Sequence, residues 1–324
     1  MNAAPDTDLP ILLVAPRLLS AMTRGLSGPF VIEHLSALTD PIAFAAEKGA
    51  RVRAILTLGE HRIDPKFLGR LPNLGLIACL GAGYDRIDVD WCRARGVAVT
   101  HSPAVNAEDV ADHAVGAAIA AWRGIVDGDR RVREGRWTEL DRGPRRRSLA
   151  GRQVGIVGLG HIGVAIGRRM EAFRANVAWW GPRPKADAAW PMSESLLDLA
   201  KASDLLFVAV RAGPSNRGLI DTAVIEAVGP EGLICNVSRG SVVDQTALIA
   251  ALKDGRLGSA ALDVFDPEPT PAETWIDVPN TVLTPHTAGS TDESVAAMVS
   301  LTFENLRRFF ANEPLASPII ELQT

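Results

Sequence analysis

Residues 151–169 read GRQVGIVGLGHIGVAIGRR. An apolar run through Val154, Ile156 and Val157 enters Gly158-Leu159-Gly160-His161-Ile162-Gly163, and a helical pattern follows. This order predicts a strand, a tight turn and a helix. The glycines have separate tasks: Gly158 permits the turn, Gly160 leaves room for a pyrophosphate, and Gly163 lets helix and strand pack closely. A helix opening at His161 turns N–H groups and the positive end of its dipole toward phosphates. Glycines at this spacing also serve ordinary turns, but between a strand and a helix they predict a dinucleotide-binding α/β unit.

In such units an acidic side chain about 20 residues further on usually grips the adenosine ribose. The next strand pattern, in ANVAWWGPRPKADA at 175–188, ends instead at Gly181, followed by Pro182, Arg183, Pro184 and Lys185. A carboxylate at 181 would repel a 2′-phosphate. Glycine removes that repulsion, and Arg183 with Lys185 can supply charge-assisted hydrogen bonds to the phosphate. The plainer alternative is a surface turn whose cations face water. The missing acid favours NADP, with NAD possible but weaker.

Outward from this stretch, short apolar runs alternate with amphipathic ones, which predicts parallel sheets covered by helices. PILLVAP, RAILTL, LGLIACLG and VAVTHS form a first series of strands; QVGIVG, NVAWW, DLLFVAV, GLICNVS, SAALDVF and TVLTPH form a second. In QTALIAALKDG, Leu248, Ile249 and Leu252 share a helical face and Gly255 suits the C-terminal cap. Two longer helical stretches, NAEDVADHAVGAAIAAWRGI and DESVAAMVSLTFENLRRFFANE, act as connectors. If the second carries the chain back, the fold is α/β with two doubly wound parallel-sheet domains. One comprises residues 1–103 plus 288–324, and the dinucleotide-binding domain, 104–287, is inserted in it.

A chain of 324 residues is long enough for two such cores. Its 47% apolar and 22% charged content is ordinary for a globular protein, and a net charge of −4 argues against a nucleic-acid partner. The basic cluster RGPRRRSLAGR, 142–152, reads as a solvated loop or a subunit contact. Cys79, Cys92 and Cys235 lack metal-ligand spacing, so no metal is expected, and they fit free thiols in a reducing cytosol. MNAAPDTDLP lacks the basic-then-apolar order of a signal peptide. No apolar run approaches the roughly 18 residues needed to cross a bilayer. The expectation is a cytoplasmic enzyme or regulator with no membrane partner.

Three segments place polar residues just past an apolar strand, at the sheet edge where open α/β folds bind ligands. LICNVSRGSVVD offers Arg239; AALDVFDPEPTP offers Asp263, Asp266 and Glu268; NTVLTPHTAGST offers His286. Singly, Arg239 could tie down a loop, Glu268 could face solvent and His286 could cap the last helix. Together a cation, a carboxylate and an imidazole beside a nicotinamide meet the needs of carbonyl reduction: an anchor for a substrate carboxylate, a proton donor, and a carboxylate to hold the donor protonated.

With GIVGLGHIG, NVSRGSVVDQTALIAAL, GSAALDVFDPEP and LTPHTAG in this order, the chain resembles the D-2-hydroxyacid dehydrogenases over nearly its whole length, most of all the glyoxylate/hydroxypyruvate reductases among them. The resemblance implies a Rossmann cofactor domain inserted in a flavodoxin-like substrate domain. It implies that Arg239 binds the substrate carboxylate, that His286 is the acid/base and that Glu268, before Pro269, pairs with it. Asp263 falls where the family meets the nicotinamide side of the cofactor. Val110, His161, Ile162, Val210, Val237, Ser238 and Gly289 are placed along the cofactor, together with Arg239 and His286. In ACLGAGYDRIDV and LTLGE it points to Ala82, Gly83, Leu58 and Gly59 for the substrate. Two departures lie near the cofactor: Arg211, where relatives often have proline, and Asn216, where they often have threonine. Arg211 could serve as a further cation for the extra phosphate. RRVREGRW resembles the family's dimerisation arm, which implies a homodimer. The implied activity is NADPH-dependent reduction of small 2-oxo acids such as glyoxylate and hydroxypyruvate. Larger 2-oxo acids, or a cofactor-sensing regulator on the same fold, are the alternatives.

Overall fold

The computed structural model describes residues 9–16, 19, 22–23, 25–141 and 143–320. Among them the strands are β1 (Ile11–Val14), β2 (Val31–His34), β3 (Val52–Leu58), β4 (Leu76–Leu80), β5 (Ala98–Thr100), β6 (Gln153–Val157), β7 (Asn176–Trp180), β8 (Leu205–Val208), β9 (Leu233–Asn236), β10 (Ser259–Leu262), β11 (Thr281–Leu283) and β12 (Pro318–Ile320). The helices are α1 (Pro41–Lys48), α2 (Pro65–Leu68), α3 (Val89–Ala94), α4 (Ala107–Arg123), α5 (Ile125–Arg133), α6 (His161–Ala172), α7 (Leu196–Ala202), α8 (Thr222–Val228), α9 (Gln245–Lys253) and α10 (Asp292–Phe310). The chain divides into two compact units, Met1–Asn106 with Asp292–Thr324, and Ala107–Thr291.

The first unit holds a sheet of order β12-β5-β4-β3-β1-β2. Its strands are parallel except β12, which returns antiparallel against β5. The interior strands are apolar on both faces because both are covered. Ile11, Leu13, Ile55 and Ile77 face one core. Their alternates Leu12, Val14, Leu56 and Leu76 face the other, with Met298, Leu306 and Phe309 of α10.

The second unit holds six parallel strands in the order β11-β10-β9-β8-β6-β7. From β6 the chain goes outward to β7 and then back across to β8, so the order reverses between β6 and β8. That crevice is where open α/β sheets take ligands. Val154 and Ile156 pack against α4 and α6 through Ala114, Val115, Ala118, Ile166 and Met170. Val157, Leu206 and Ile234 pack on the opposite face against Leu199, Ile225 and Leu248.

Three local readings differ from expectation. The edge strands β2 and β12 carry no strong sequence signal; β2 is half-buried throughout. In α9, Leu248 and Leu252 are buried and Ile249 only partly, and Asp254 caps the helix before Gly255, at φ +72°, turns the chain. The basic cluster is not merely solvated. Arg147 lies 5.1 Å over the Trp122 ring and pairs with Asp204 at 3.0 Å and Glu231 at 3.1 Å, while Arg152 reaches Asp204 at 3.4 Å. These arginines fasten the segment after α5 to the start of β8; Arg142 lies outside the described residues. Among the described residues no helix is long and apolar enough to cross a membrane, and no cluster of side chains could hold a metal ion.

Candidate active site

At the switch point, Gly158 has φ +94°, and a Cβ there would lie 2.6 Å from Val210 Cα. The ends of β6 and β8 therefore meet without a side chain between them. At Gly163 a Cβ would lie 2.2 Å from the Gly158 carbonyl oxygen, so α6 can close on β6 only at a glycine. Gly160 is different. It is the N-cap of α6 and makes no side-chain cap bond, and beyond its two chain neighbours no described protein atom lies within 4 Å of the place its Cβ would take. Clear space over the opening N–H groups of a helix fits a dinucleotide's phosphates.

Lys185 donates from Nζ to the Leu159 carbonyl, which brings it against this loop; Arg183 is exposed on the same turn. Gly181 is buried against the Trp179 ring. After β8, the Asn216 amide closes its own loop, accepting from Gly213 N–H at 2.8 Å and donating to the Arg211 carbonyl at 2.6 Å. That side chain shapes the loop, and Arg211 stands exposed on it. Ser238 Oγ donates to the Val210 carbonyl, joining the ends of β9 and β8. Val110 on α4 and Val237 are buried, His161 opens α6, Ile162 follows it, and Gly289 lies in the turn after β11.

The three segments read as chemical converge within the second unit. Arg239 follows β9, with its carbonyl held by Asn236 Nδ2 at 3.0 Å and its Nη1 donating to the Ser238 carbonyl at 2.8 Å. At the next residue, Gly240, a Cβ would lie 1.9 Å from the Phe265 carbonyl carbon, so this loop rests directly on the backbone leading to Glu268. Glu268 Oε2 lies 2.7 Å from His286 Nδ1, and Oε1 accepts the Phe265 N–H at 2.8 Å. Burial pushes the Glu268 carboxyl up. The His286 ring, the Phe265 N–H and the charges of His286 and Arg239 outweigh it, leaving the group below the usual glutamate value. An ionised Glu268 can only accept, so Nδ1 of His286 carries a proton and Nε2 is the position from which a second one can be exchanged.

Asp263 is 2% exposed. Its carboxylate accepts from Thr284 Oγ1 at 2.6 Å and from the N–H groups of Thr287 and Ala288 at 2.9 Å each. It is thus committed to the turn that carries His286. Asp266 is occupied by Arg217 at 2.8 Å. His113 on α4, absent from the residues expected at the site, reaches Thr284 at 2.9 Å; its one sequence signal is a polar residue within an alanine-rich helix.

Leu58, Gly59, Ala82 and Gly83 all belong to the first unit, at the ends of β3 and β4. A Cβ on Gly59 would lie 1.8 Å from the Gly83 carbonyl oxygen, so the two loops touch. His101 Nδ1 is 2.9 Å from the Ala82 carbonyl.

Comparison with known proteins agrees with the fold. Residues 115–288 match the family model described as D-isomer specific 2-hydroxyacid dehydrogenase, NAD binding domain. The chain is 38% identical over 269 residues to glyoxylate/hydroxypyruvate reductase A of Arabidopsis thaliana, covering 83% of this chain and 86% of that one. It is 35% identical to a 2-ketogluconate reductase of Gluconobacter oxydans, covering 99% and 100%. Among solved structures, an NADPH-dependent glyoxylate/hydroxypyruvate reductase of Sinorhizobium meliloti in complex with NADP and malonate superposes with a TM-score of 0.86 at 33% identity, covering 97% and 98%. A glycine loop at the switch point, an imidazole on a carboxylate and a relative matched end to end lead to one assignment: this chain belongs to the D-2-hydroxyacid dehydrogenase family.

Proposed function

We propose that the protein is an NADPH-dependent reductase of small 2-oxo acids, with glyoxylate and hydroxypyruvate as first substrates. The observation that carries the reading is the 2.7 Å pair of His286 and Glu268, in the unit that bears the glycine loop and Arg239. NADPH, when bound, supplies the hydride that reduces the carbonyl carbon. Arg239 binds the substrate carboxylate and polarises the keto oxygen. His286 gives a proton from Nε2 to that oxygen as it becomes a hydroxyl, and Glu268 stabilises the charged imidazole beforehand. The amides at Ala82 and Gly83 are read as further partners of a substrate carboxylate, supported by the tight packing of their loop on Gly59. Gly181, Arg183 and Lys185 support NADP over NAD, and Arg211 is a further candidate for the 2′-phosphate. Asp263, Asn216 and the valines serve the cofactor side by shaping its loops. A homodimer in the cytoplasm completes the reading: the three free cysteines support the reducing compartment, and the resemblance of RRVREGRW to the family's dimerisation arm supports the dimer.

The end-to-end match to a 2-ketogluconate reductase makes larger 2-oxo acids the alternative to test. A panel of glyoxylate, hydroxypyruvate, 2-ketogluconate and hydroxyphenylpyruvate, each with NADPH and with NADH, tests both. The expected result is the highest kcat/KM with a two- or three-carbon acid and NADPH. A preference for 2-ketogluconate moves the conclusion to that alternative, and equal use of NADH removes the 2′-phosphate assignment.

A further inference from the structure

His113, on α4, has a side chain 25% exposed. Its Nε2 lies 2.9 Å from Thr284 Oγ1 and 3.6 Å from Asp263 Oδ1. The Thr284 hydroxyl is itself 2.6 Å from Asp263 Oδ1. A carboxylate only accepts, so the hydroxyl proton points at Asp263 and the hydroxyl oxygen is left to accept. Nε2 of His113 is then the donor, in the neutral ring as in the charged one.

Asp263 is the hub of the turn after β11. Thr284 through its hydroxyl, and His286, Thr287 and Ala288 through their N–H groups, all bond to Asp263; Pro285, between them, has no N–H to give. His286 sits at φ +55°. A residue with a Cβ keeps that left-handed conformation only where its surroundings hold it there.

We propose that His113 is a positioning residue for the proton donor: by donating to Thr284 it fixes the Thr284–Asp263 pair, and through it the turn that aims His286. The proposal rests on the reading of His286 as the donor. His113 acts on the reaction only through Thr284 and Asp263.

Three substitutions separate positioning from packing. His113→Phe keeps a ring and deletes the donor; His113→Gln keeps an amide donor near the place of Nε2; His113→Asn carries the same group one bond short. His113→Phe is expected to lower kcat by about 10- to 100-fold, with the Kd for NADPH within about twofold of the parent. His113→Gln should restore most of that loss, and His113→Asn should not. A loss that glutamine does not restore, or one matched by an equal loss of NADPH affinity, overturns the proposal. If His113→Phe does not fold, the order of kcat between the glutamine and asparagine variants decides, and equality overturns it. His286→Ala is assayed alongside. Near-normal turnover there removes the reading of His286 and this proposal with it. A disabled His286→Ala beside a fully active His113→Phe removes only the proposal.

Discussion

One carboxylate does two jobs at Glu268: Oε1 takes a backbone N–H and Oε2 takes the His286 ring. Its value is held below the ordinary range, so it stays ionised through neutral pH. The stability it contributes is present above the ordinary glutamate value of about 4.3 and is lost as pH falls through the depressed one. The same contact favours the charged imidazole, because the coupling is mutual. Glu268→Gln keeps the shape and deletes the charge. His286 should then lose its proton at lower pH, and the alkaline limb of the reduction rate should move to lower pH. An unmoved limb would show that the two groups are uncoupled. Arg183 makes a second prediction at this scale. A hydrogen bond to a charged group contributes about 1.5–3 kcal/mol, so Arg183→Ala should weaken NADPH by roughly 10- to 150-fold and leave NADH nearly unchanged. Equal losses for both cofactors would remove Arg183 from the phosphate.

At the level of elements, two glycines of one loop obey different physics. At Gly163 a Cβ would strike the Gly158 carbonyl at 2.2 Å, so Gly163→Ala must push α6 away from β6. Such overpacking costs about 1–3 kcal/mol, and both stability and cofactor affinity should fall. At Gly160 the space is clear of protein and φ is −80°, which alanine adopts freely. Gly160→Ala should leave unfolding within about 0.5 kcal/mol of the parent and still weaken NADPH, since only the ligand meets the new methyl. Thermal unfolding without cofactor and fluorescence titration with it separate the two cases. The sequence made this loop readable because strand, glycines and helix are contiguous. Arg239, Glu268 and His286 were readable too, since each follows an apolar strand and therefore lies at the sheet edge. His113 was not, because its partner Thr284 stands 171 residues away and only the folded chain brings them together. The edge strand β2 escaped for another reason: it is half-buried along its length, so no apolar run marks it.

At the level of the whole molecule, the three thiols report on the two units. Burial, with Cys92 nearby, pushes the Cys79 thiol up to about 12, and burial with Asp88 pushes Cys92 up to about 11. Cys235 is pushed up as well, by burial first and then by Asp263. Thiolates are the reactive form, so none should react in the native state at neutral pH, and labelling should follow unfolding. Cys79 and Cys92 lie in the first unit and Cys235 in the second, which also bears the glycine loop. A ligand that binds only the folded state stabilises it by about 2.7 kcal/mol at 100 times its Kd, which slows opening-limited labelling about 100-fold. Saturating NADPH should therefore protect Cys235 by about that factor in a thiol-labelling experiment read by mass spectrometry. Protection of Cys79 and Cys92 to the same degree would mean that the two units unfold as one, and lesser protection that the first opens by itself. If Cys235 gains no protection while NADPH is bound, the cofactor does not stabilise the unit that carries Gly158, Gly160 and Gly163, and the cofactor assignment fails with it.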